Sequence, residues 1–197
     1  SIEDDEITYY YKDYIKSLGY KLEEYEVITE DYYILSLWHF VPKNPVDPEK
    51  VVYFQPGFMC VAWVYLQNGK NSLPFLLMEE GYDVWIGHNR GTIHSLGHIT
   101  KDSQESDSDY WDFTIDDYAL NDLPANLETV KEKTGAKKLI YIGHSQGTTL
   151  FFFEFSFIFI IKSLSFFFLS LPINCNSSKA PINKVHFTLY ILKSIAC

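Results

Sequence analysis

The sequence predicts an α/β fold in which a mostly parallel β-sheet is covered by flanking helices. Short apolar runs such as Val51–Phe54 and Val84–Ile86 alternate with longer segments of helical periodicity. Strands that are apolar on both faces are typical of parallel sheets with helices on either side. A further β-branched and aromatic run leads into the pentapeptide Gly143–Gly147, and a hydrophobic segment follows it. This order of strand, tight turn and helix belongs to the same class.

The N-terminal 50 residues are predicted to form one helix and one β-hairpin. Residues 4–18 carry apolar side chains at helical spacing and stop before a glycine. Two strand-like runs, Tyr25–Thr29 and Tyr33–Trp38, flank Glu30-Asp31, which predicts the hairpin turn. Three prolines between residues 42 and 48 then indicate a loop.

The remaining elements predict the alternating part of the sheet. After the strand Val51–Phe54 we expect a helix at Leu73–Glu80, the strand Val84–Ile86, a helix at Asp116–Lys133 and a strand at Leu139–Ile142. A glycine lies just beyond each of these helices, where a C-terminal cap is expected. Together these elements place an incomplete α/β core, the N-terminal half of a larger one, in residues 51–156, after an N-terminal segment of residues 1–50.

Composition limits the possible functions and ligands. The formal net charge of −10 argues against a nucleic-acid partner, because such a surface needs clustered Lys and Arg. Three cysteines are too few for a disulfide framework, and they match no zinc-binding spacing. His94 and His98 lie in a glycine-rich loop without a carboxylate at metal-site spacing. We therefore expect no metal and no cofactor. Arg90, the only arginine, is expected to form a structural hydrogen-bonding fork.

The last 47 residues differ sharply from the rest of the chain. All 10 glycines, all 4 tryptophans and 25 of the 26 acidic residues precede position 151, whereas 10 of the 15 phenylalanines lie in residues 151–197. Residues 157–197 show neither helical nor strand periodicity. One hypothesis is that this tail is a read-through of A/T-rich non-coding sequence, such as an unspliced intron. The alternative is a membrane span over Leu150–Leu171, in which Glu154 and Lys162 would be costly to bury.

The pentapeptide Gly143-His144-Ser145-Gln146-Gly147 carries the chemistry of the chain. In α/β-hydrolases a Gly-x-Ser-x-Gly turn between a strand and a helix pushes the serine hydroxyl out above the sheet. Gly143 and Gly147 fit because a side chain at either position would collide with the neighbouring strand or helix. The Gln146 N–H, at the start of the helix, would point at the carbonyl oxygen of a bound ester. The alternative is a plain βα turn bracketed by glycines.

Several motifs, in order, resemble those of the acid lipase family, the α/β-hydrolases that include gastric and lysosomal acid lipases. They span about residues 5–156 and lie in Tyr25–Asp31, Trp85–Gly91, Tyr110–Thr114, Asp122–Ala125 and Gly143–Thr148. The resemblance implies that Ser145 is the nucleophile that forms an acyl-enzyme with a fatty acid. It also implies two oxyanion donors, the backbone N–H groups of Gln146 and of Phe58. Pro56 stands where the family usually has histidine, so one backbone donor is missing beside Gly57.

A serine nucleophile needs a histidine base and an acid, which follow the serine in the chain order of this fold. After Ser145 the sequence has one acid, Glu154, and one histidine, His186. Glu154 is predicted to lie in the helix that leaves the turn, and His186 does not match the histidine motif of the family. The catalytic Asp and His are therefore not found.

The resemblance implies a serine lipase that hydrolyses neutral lipid esters, either triglyceride or cholesteryl ester. Because the catalytic Asp and His are not found, we expect this chain to be inactive. Its expected partners are a lipid ester substrate and a membrane or lipid-droplet surface, and its expected location is secreted or lysosomal. Two alternatives remain open: a non-catalytic lipid-binding or membrane-tethered remnant, and another α/β-hydrolase esterase on the same scaffold.

Overall fold

A computed structural model describes residues 2–104 and 109–159 of the chain. Its strands are β1 (Lys21–Ile28), β2 (Tyr33–Val41), β3 (Val51–Gln55), β4 (Asp83–Gly87), β5 (Gly97–His98) and β6 (Ile140–Gly143). Its helices are α1 (Ile2–Ser17), α2 (Trp63–Leu66), α3 (Leu73–Glu79), α4 (Ile115–Asp117), α5 (Leu123–Thr134) and α6 (Gln146–Phe159). Short 3₁₀ turns lie at Gly69–Asn71 and Asp109–Trp111, and a π-helical turn lies at Tyr118–Asp122.

The strands form one mixed sheet in the order β1-β2-β4-β3-β6. The hairpin strands β1 and β2 are antiparallel, β2 is antiparallel to β4, and β5 is antiparallel to β2. The predicted parallel part is β4-β3-β6, where Phe54 pairs with both Ile86 and Ile142. The sheet is therefore parallel at the end that carries the serine turn and antiparallel at the end that carries the hairpin.

Helices cover both faces of the sheet, as the apolar strands predict. Along β3, Val51 and Tyr53 join one core cluster, whereas Val52 and Phe54 join the other. This alternation follows from the two-residue period of a strand. The first cluster also contains side chains of α5 and α6, such as Val130 and Leu150, and the second contains side chains of α1, α2 and α3.

The hairpin strands are longer than predicted. β1 begins at Lys21 rather than Tyr25, and β2 ends at Val41 rather than Trp38. The added residues of β1 include Glu23 and Glu24, which are partly exposed because β1 is the edge strand of the described sheet. Charged residues are common on such edges, and they hide the alternation that identifies a strand.

The helix predicted at Asp116–Lys133 is interrupted by the π-helical turn Tyr118–Asp122. A π turn inserts one extra residue and so rotates the following side chains about the helix axis. Pro124 follows at once and lacks the N–H that a regular α-helical turn would use. The result is that Asp122 is fully buried and reaches Arg90.

Arg90 connects three separate parts of the fold. Its guanidinium donates to both carboxylate oxygens of Asp31 in the hairpin turn, with the Nη2–Oδ1 distance at 2.8 Å. Its Nε and backbone N–H donate to Asp122 at 2.8 and 2.9 Å. The same guanidinium lies 3.8 Å from the centre of the Tyr33 ring. The predicted structural fork is therefore confirmed.

Arg90 and Asp31 stabilise each other's charged forms, whereas burial raises the pKa of Asp122 to about 7 despite its hydrogen bonds with Arg90. Burial alone would raise the pKa of Asp31, but hydrogen bonds from Arg90 and Thr29, together with the charge of Arg90, outweigh it and lower that pKa. Burial alone would likewise lower the pKa of Arg90, but the hydrogen bonds to Asp31 and the charge of Asp122 raise it. The guanidinium therefore stays charged, as a buried fork between two carboxylates requires.

Arg90→Lys is expected to destabilise the fold, because an ammonium group cannot donate in a planar fork to Asp31 and Asp122 together. Losing two charge-assisted hydrogen bonds should lower the free energy of unfolding by about 3 kcal/mol. Urea titration measures this. As a control, Lys12→Ala breaks the more exposed pair with Glu24 and should cost less than about 1 kcal/mol. Equal losses in the two variants would contradict a special role for the fork.

His88 is a buried, neutral histidine in the loop after β4. Its Nε2 accepts the Ala62 N–H at 3.1 Å, so its Nδ1 carries the proton and donates to the Ser36 carbonyl at 3.0 Å. Burial, together with the neighbouring His94, lowers the pKa of His88 to about 3, and burial lowers that of His94 to about 4. Both imidazole rings therefore resist protonation in the native state.

Because His88 is buried and neutral, we predict that acid lowers the free energy of unfolding well above pH 4. In the unfolded chain a histidine titrates near pH 6.5, so between about pH 6.5 and 3 the unfolded state binds a proton that the native state refuses. The free energy of unfolding should thus fall by about 2 kcal/mol from pH 7 to pH 5 through this residue. His88→Gln, which keeps one acceptor and one donor, should remove that slope in denaturant titrations. His98 is partly exposed, so His98→Gln should remove less of this pH dependence. An unchanged pH dependence in His88→Gln would refute the role given to His88.

Candidate active site

The serine turn has the geometry that the pentapeptide predicts. β6 ends at Gly143, α6 begins at Gln146, and Ser145 lies between them with φ of 52°. A non-glycine residue in this left-handed region is strained and is commonly found where a fold holds a functional side chain. Ser145 is exposed, and the Gly147 and Thr148 N–H groups close the turn on the His144 and Ser145 carbonyls. The predicted strand, turn and helix are therefore confirmed.

Both glycines of the turn are required by close packing. A Cβ at position 143 would lie 2.8 Å from backbone atoms of Gly147 and Thr148, so any side chain there would enter the first turn of α6. A Cβ at position 147 would overlap the carbonyl of Gln55 and lie 2.8 Å from that of Pro56. Real Cβ atoms do not approach backbone so closely, and α6 can therefore contact the end of β3 only through glycine.

The loop after β3 lies directly beside Ser145. An added Cβ on Gly57 would lie 3.0 Å from both the Ser145 Cβ and the His144 carbonyl. Phe58 and Met59 form the turn that follows, with Met59 at φ 51°, and both side chains are exposed. The fold thus brings the segment of the predicted Phe58 donor to the same place as the turn that carries Gln146.

A buried polar network supports this arrangement from below. The Gln55 side chain accepts from the Tyr53 hydroxyl at 2.6 Å and donates to Asn89 Oδ1 at 2.8 Å. The Gln55 carbonyl accepts the His144 N–H at 3.0 Å and the Tyr65 hydroxyl at 2.8 Å. Gln55 therefore links the carboxyl ends of β3, β4 and β6, which is where ligands bind in open α/β sheets.

His39, His88 and His98 are hydrogen-bonded to groups other than Ser145. His39 contacts Asp83 at 2.7 Å, His88 bonds backbone groups, and His98 contacts the Asp31 carbonyl. His94 packs between aromatic rings. His144 precedes the serine directly, and burial lowers the pKa of its imidazole. Within residues 10–104 and 109–153, no histidine forms a hydrogen bond with the Ser145 hydroxyl.

The one acid and the one histidine that follow Ser145 in the sequence have side chains beyond this region. The backbone of Glu154 belongs to α6, as predicted. His186 falls outside the described residues, as do residues 160–197 of the tail. No helix within the described ranges is both long and apolar enough to cross a membrane.

Sequence reasoning missed the supporting residues of the site. Gln55 directly follows a buried strand, and a buried polar residue at a strand end is a signal that could have identified it. Tyr65 and Asn89 give no such signal, because their partners are distant in sequence: the Tyr65 hydroxyl contacts residues 10 and 77 positions away.

Two family models match this chain. One is described as a partial α/β-hydrolase lipase region and matches residues 11–69. The other is described as the α/β hydrolase fold and matches residues 50–153, more than half of the chain. Together they include the hairpin, the loop with Phe58 and the turn with Ser145.

Curated proteins with similar sequences are lipases by name. Lipase member K of Homo sapiens is 40% identical over 175 residues, which cover 85% of this chain and 43% of that protein. Gastric triacylglycerol lipase of Rattus norvegicus is 37% identical over 179 residues, covering 86% of this chain and 44% of that protein. A solved esterase of Pyrococcus furiosus, Pf2001, is 23% identical, with a TM-score of 0.49, over 69% of this chain and 46% of that one. The chain spans less than half the length of these proteins.

The similarity to one relative extends into the tail. Lipase member K of Mus musculus is 37% identical over 193 residues, covering 94% of this chain and 48% of that protein. A match of that extent must include part of residues 157–197. The family models end by residue 153, whereas this alignment continues beyond residue 156.

Gly147→Ala is expected to break the contact between α6 and β3, because the new methyl group would overlap the Gln55 carbonyl. The backbone must shift to relieve that overlap, which should lower the free energy of unfolding by about 3 kcal/mol in urea titration. Thr149→Ala, at an exposed position two residues along the same helix, should change it by less than about 0.5 kcal/mol. Equal stability of the two variants would show that the contact tolerates a side chain.

Proposed function

Because this chain belongs to the α/β-hydrolase fold family and carries the lipase region of that family, we propose that it supplies the nucleophile and the oxyanion donors of a serine lipase. One observation carries the proposal: Ser145 lies exposed in a strained turn between β6 and α6, with Gly57 packed against it. A serine that served only as a turn residue would not need that conformation.

The proposed reaction begins with attack of the Ser145 Oγ on the carbonyl carbon of an ester. The carbonyl oxygen becomes negative as the tetrahedral intermediate forms, and the N–H groups of Gln146 and Phe58 donate to it. Collapse of the intermediate breaks the bond to the alcohol, which leaves with the proton that the Ser145 hydroxyl gave up, and the acyl group stays on the serine. Water then hydrolyses this acyl-enzyme and releases the fatty acid.

Pro56 does not remove either proposed donor. Its missing N–H precedes Gly57, whereas the proposed donor is the amide of the next residue, Phe58. The fixed φ of proline also restricts the loop at the point where it leaves β3. The departure from the usual histidine therefore affects the shape of the loop more than its hydrogen-bonding capacity.

The proposed substrates are neutral lipid esters, triglyceride or cholesteryl ester. Phe58 and Met59 expose 59% and 75% of their surface beside the serine, which suits contact with an acyl chain or with a lipid surface. The named triacylglycerol lipase among the relatives supports the same class. A membrane or lipid-droplet surface as partner, and a secreted or lysosomal location, are parts of this proposal.

We further propose that this chain alone turns over slowly. The proton of Ser145 needs an acceptor, and His39, His88 and His98 are engaged with other groups. In other serine hydrolases, removing the base or the nucleophile lowers turnover about a millionfold, while donors and binding still contribute some rate. The chain would thus keep a positioned serine without an efficient route for its proton.

A non-catalytic lipid-binding role is the second candidate. It is favoured by the same lack of a bonded histidine at Ser145 and by the exposed apolar pair Phe58 and Met59. The two candidates differ in what they require of the serine. A lipase scaffold needs a reactive hydroxyl beside its oxyanion donors, whereas a lipid-binding remnant does not.

A fluorophosphonate probe tests the proposal. We expect slow, stoichiometric labelling confined to Ser145 by peptide mapping, because the oxyanion donors stabilise the phosphoryl oxygen even without a base. Turnover of a short-chain ester should not exceed that of Ser145→Ala.

Labelling that is equal in wild type and Ser145→Ala would support the lipid-binding candidate instead. Fast turnover that depends on Ser145 would overturn the inactivity of the chain and would point to a base outside the described residues.

A further inference from the structure

Tyr65 is a buried tyrosine just beyond the loop that carries Phe58. It lies in α2, a single helical turn that follows this loop, and its ring packs edge-on against Phe54 with centroids 4.9 Å apart. Burial raises the pKa of Tyr65 well above the ordinary range, so the hydroxyl remains a neutral donor. A buried hydroxyl needs an acceptor, and the acceptors here are backbone carbonyls.

The Tyr65 hydroxyl contacts the ends of two strands at once. It donates to the Gln55 carbonyl at 2.8 Å and lies 3.4 Å from the Ile142 carbonyl. Gln55 is the last residue of β3, and Ile142 pairs with Phe54 beside it in β6. The loop to Phe58 leaves from the first of these strands, and the serine turn leaves from the second.

This contact closes the Phe58 loop at its base. The hydrogen bond from Tyr65 to Gln55 spans 10 residues and joins the two ends of the loop. The Ala62 N–H, which donates to His88, fixes the same loop from the opposite side. The Gln55 carbonyl that accepts from Tyr65 also accepts the His144 N–H, so loop and serine turn share one acceptor.

An oxyanion site requires that its two donors point at the same atom. Displacement of about 1 Å at a catalytic group costs on the order of a hundredfold in rate. Phe58 and Gln146 lie on separate segments, so something must fix one relative to the other.

We propose that Tyr65 is a positioning residue for the oxyanion site, whose hydroxyl fixes the loop carrying the Phe58 N–H relative to the turn carrying the Gln146 N–H. The inference rests on the proposed function for its chemistry, but the geometric part stands on the hydrogen bonds alone. Tyr65 touches no reacting atom and acts through the Gln55 carbonyl.

Tyr65→Phe tests this with two measurements on the full chain. Amide hydrogen exchange should become at least tenfold faster at His144 and Gly147, while amides of the central strands change little. The rate constant of fluorophosphonate labelling at saturation should fall about tenfold, with half-saturation unchanged, because donor alignment matters only as charge develops.

Tyr33→Phe is the matched control. It removes another buried tyrosine hydroxyl that donates to a backbone carbonyl, that of Tyr110, on the hairpin side of the sheet. It should leave exchange at His144 and the labelling rate as in wild type. If Tyr65→Phe changes exchange no more at the serine turn than Tyr33→Phe does, the positioning role is wrong.

The outcomes separate this inference from the proposed function. Labelling of wild type that equals Ser145→Ala would defeat the lipase proposal, yet the exchange data would still decide whether Tyr65 fixes the turn. Labelling of wild type at Ser145, with the same rate in Tyr65→Phe, would support the lipase proposal and overturn the role of Tyr65.

Discussion

The described fold depends on one steric constraint: α6 must approach the end of β3 without a side chain between them. Gly147 meets the Gln55 carbonyl so closely that a methyl group would overlap it, and Gly143 lies as close to the first turn of α6. This contact sets the angle at which the helix leaves the strand. That angle in turn forces Ser145 into the left-handed region and holds it against Gly57. The exposed position of the hydroxyl is thus a consequence of packing.

Two buried polar residues, Gln55 and Arg90, connect the elements around this contact. Gln55 joins the carboxyl ends of the parallel strands directly below the serine turn. Arg90, in the loop after β4, joins the hairpin through Asp31 and the helical region through Asp122. Asn89 links them, because it bonds Gln55 and precedes Arg90 in the chain. Such fully satisfied networks permit one arrangement of their elements and penalise others.

The sequence predicts the parts of this structure that depend on local pattern. The strands, the serine turn with its two glycines, the fork at Arg90 and the resemblance to acid lipases are confirmed. The charged part of β1, the π turn before Asp122 and the roles of Tyr65 and Gln55 were not predicted. Each depends on a partner distant in sequence, or on an edge whose exposure only the sheet order reveals. The roles of Ser145, Gln146 and Phe58 in catalysis stay predictions.

The proposed chemistry depends both on residues next to Ser145 in the sequence and on residues distant from it. The turn around Ser145 is specified by five consecutive residues and by its contact with β3, so its geometry needs no histidine base. The proposed reaction also needs a base, and in the described part of the chain His39, His88 and His98 are bound to other groups. The turn that carries the proposed nucleophile can therefore form without a histidine hydrogen-bonded to it. It follows that the geometry of the turn and the proposed activity have separate requirements: the first depends on packing at Gly143 and Gly147, and the second would also depend on a base that reaches Ser145.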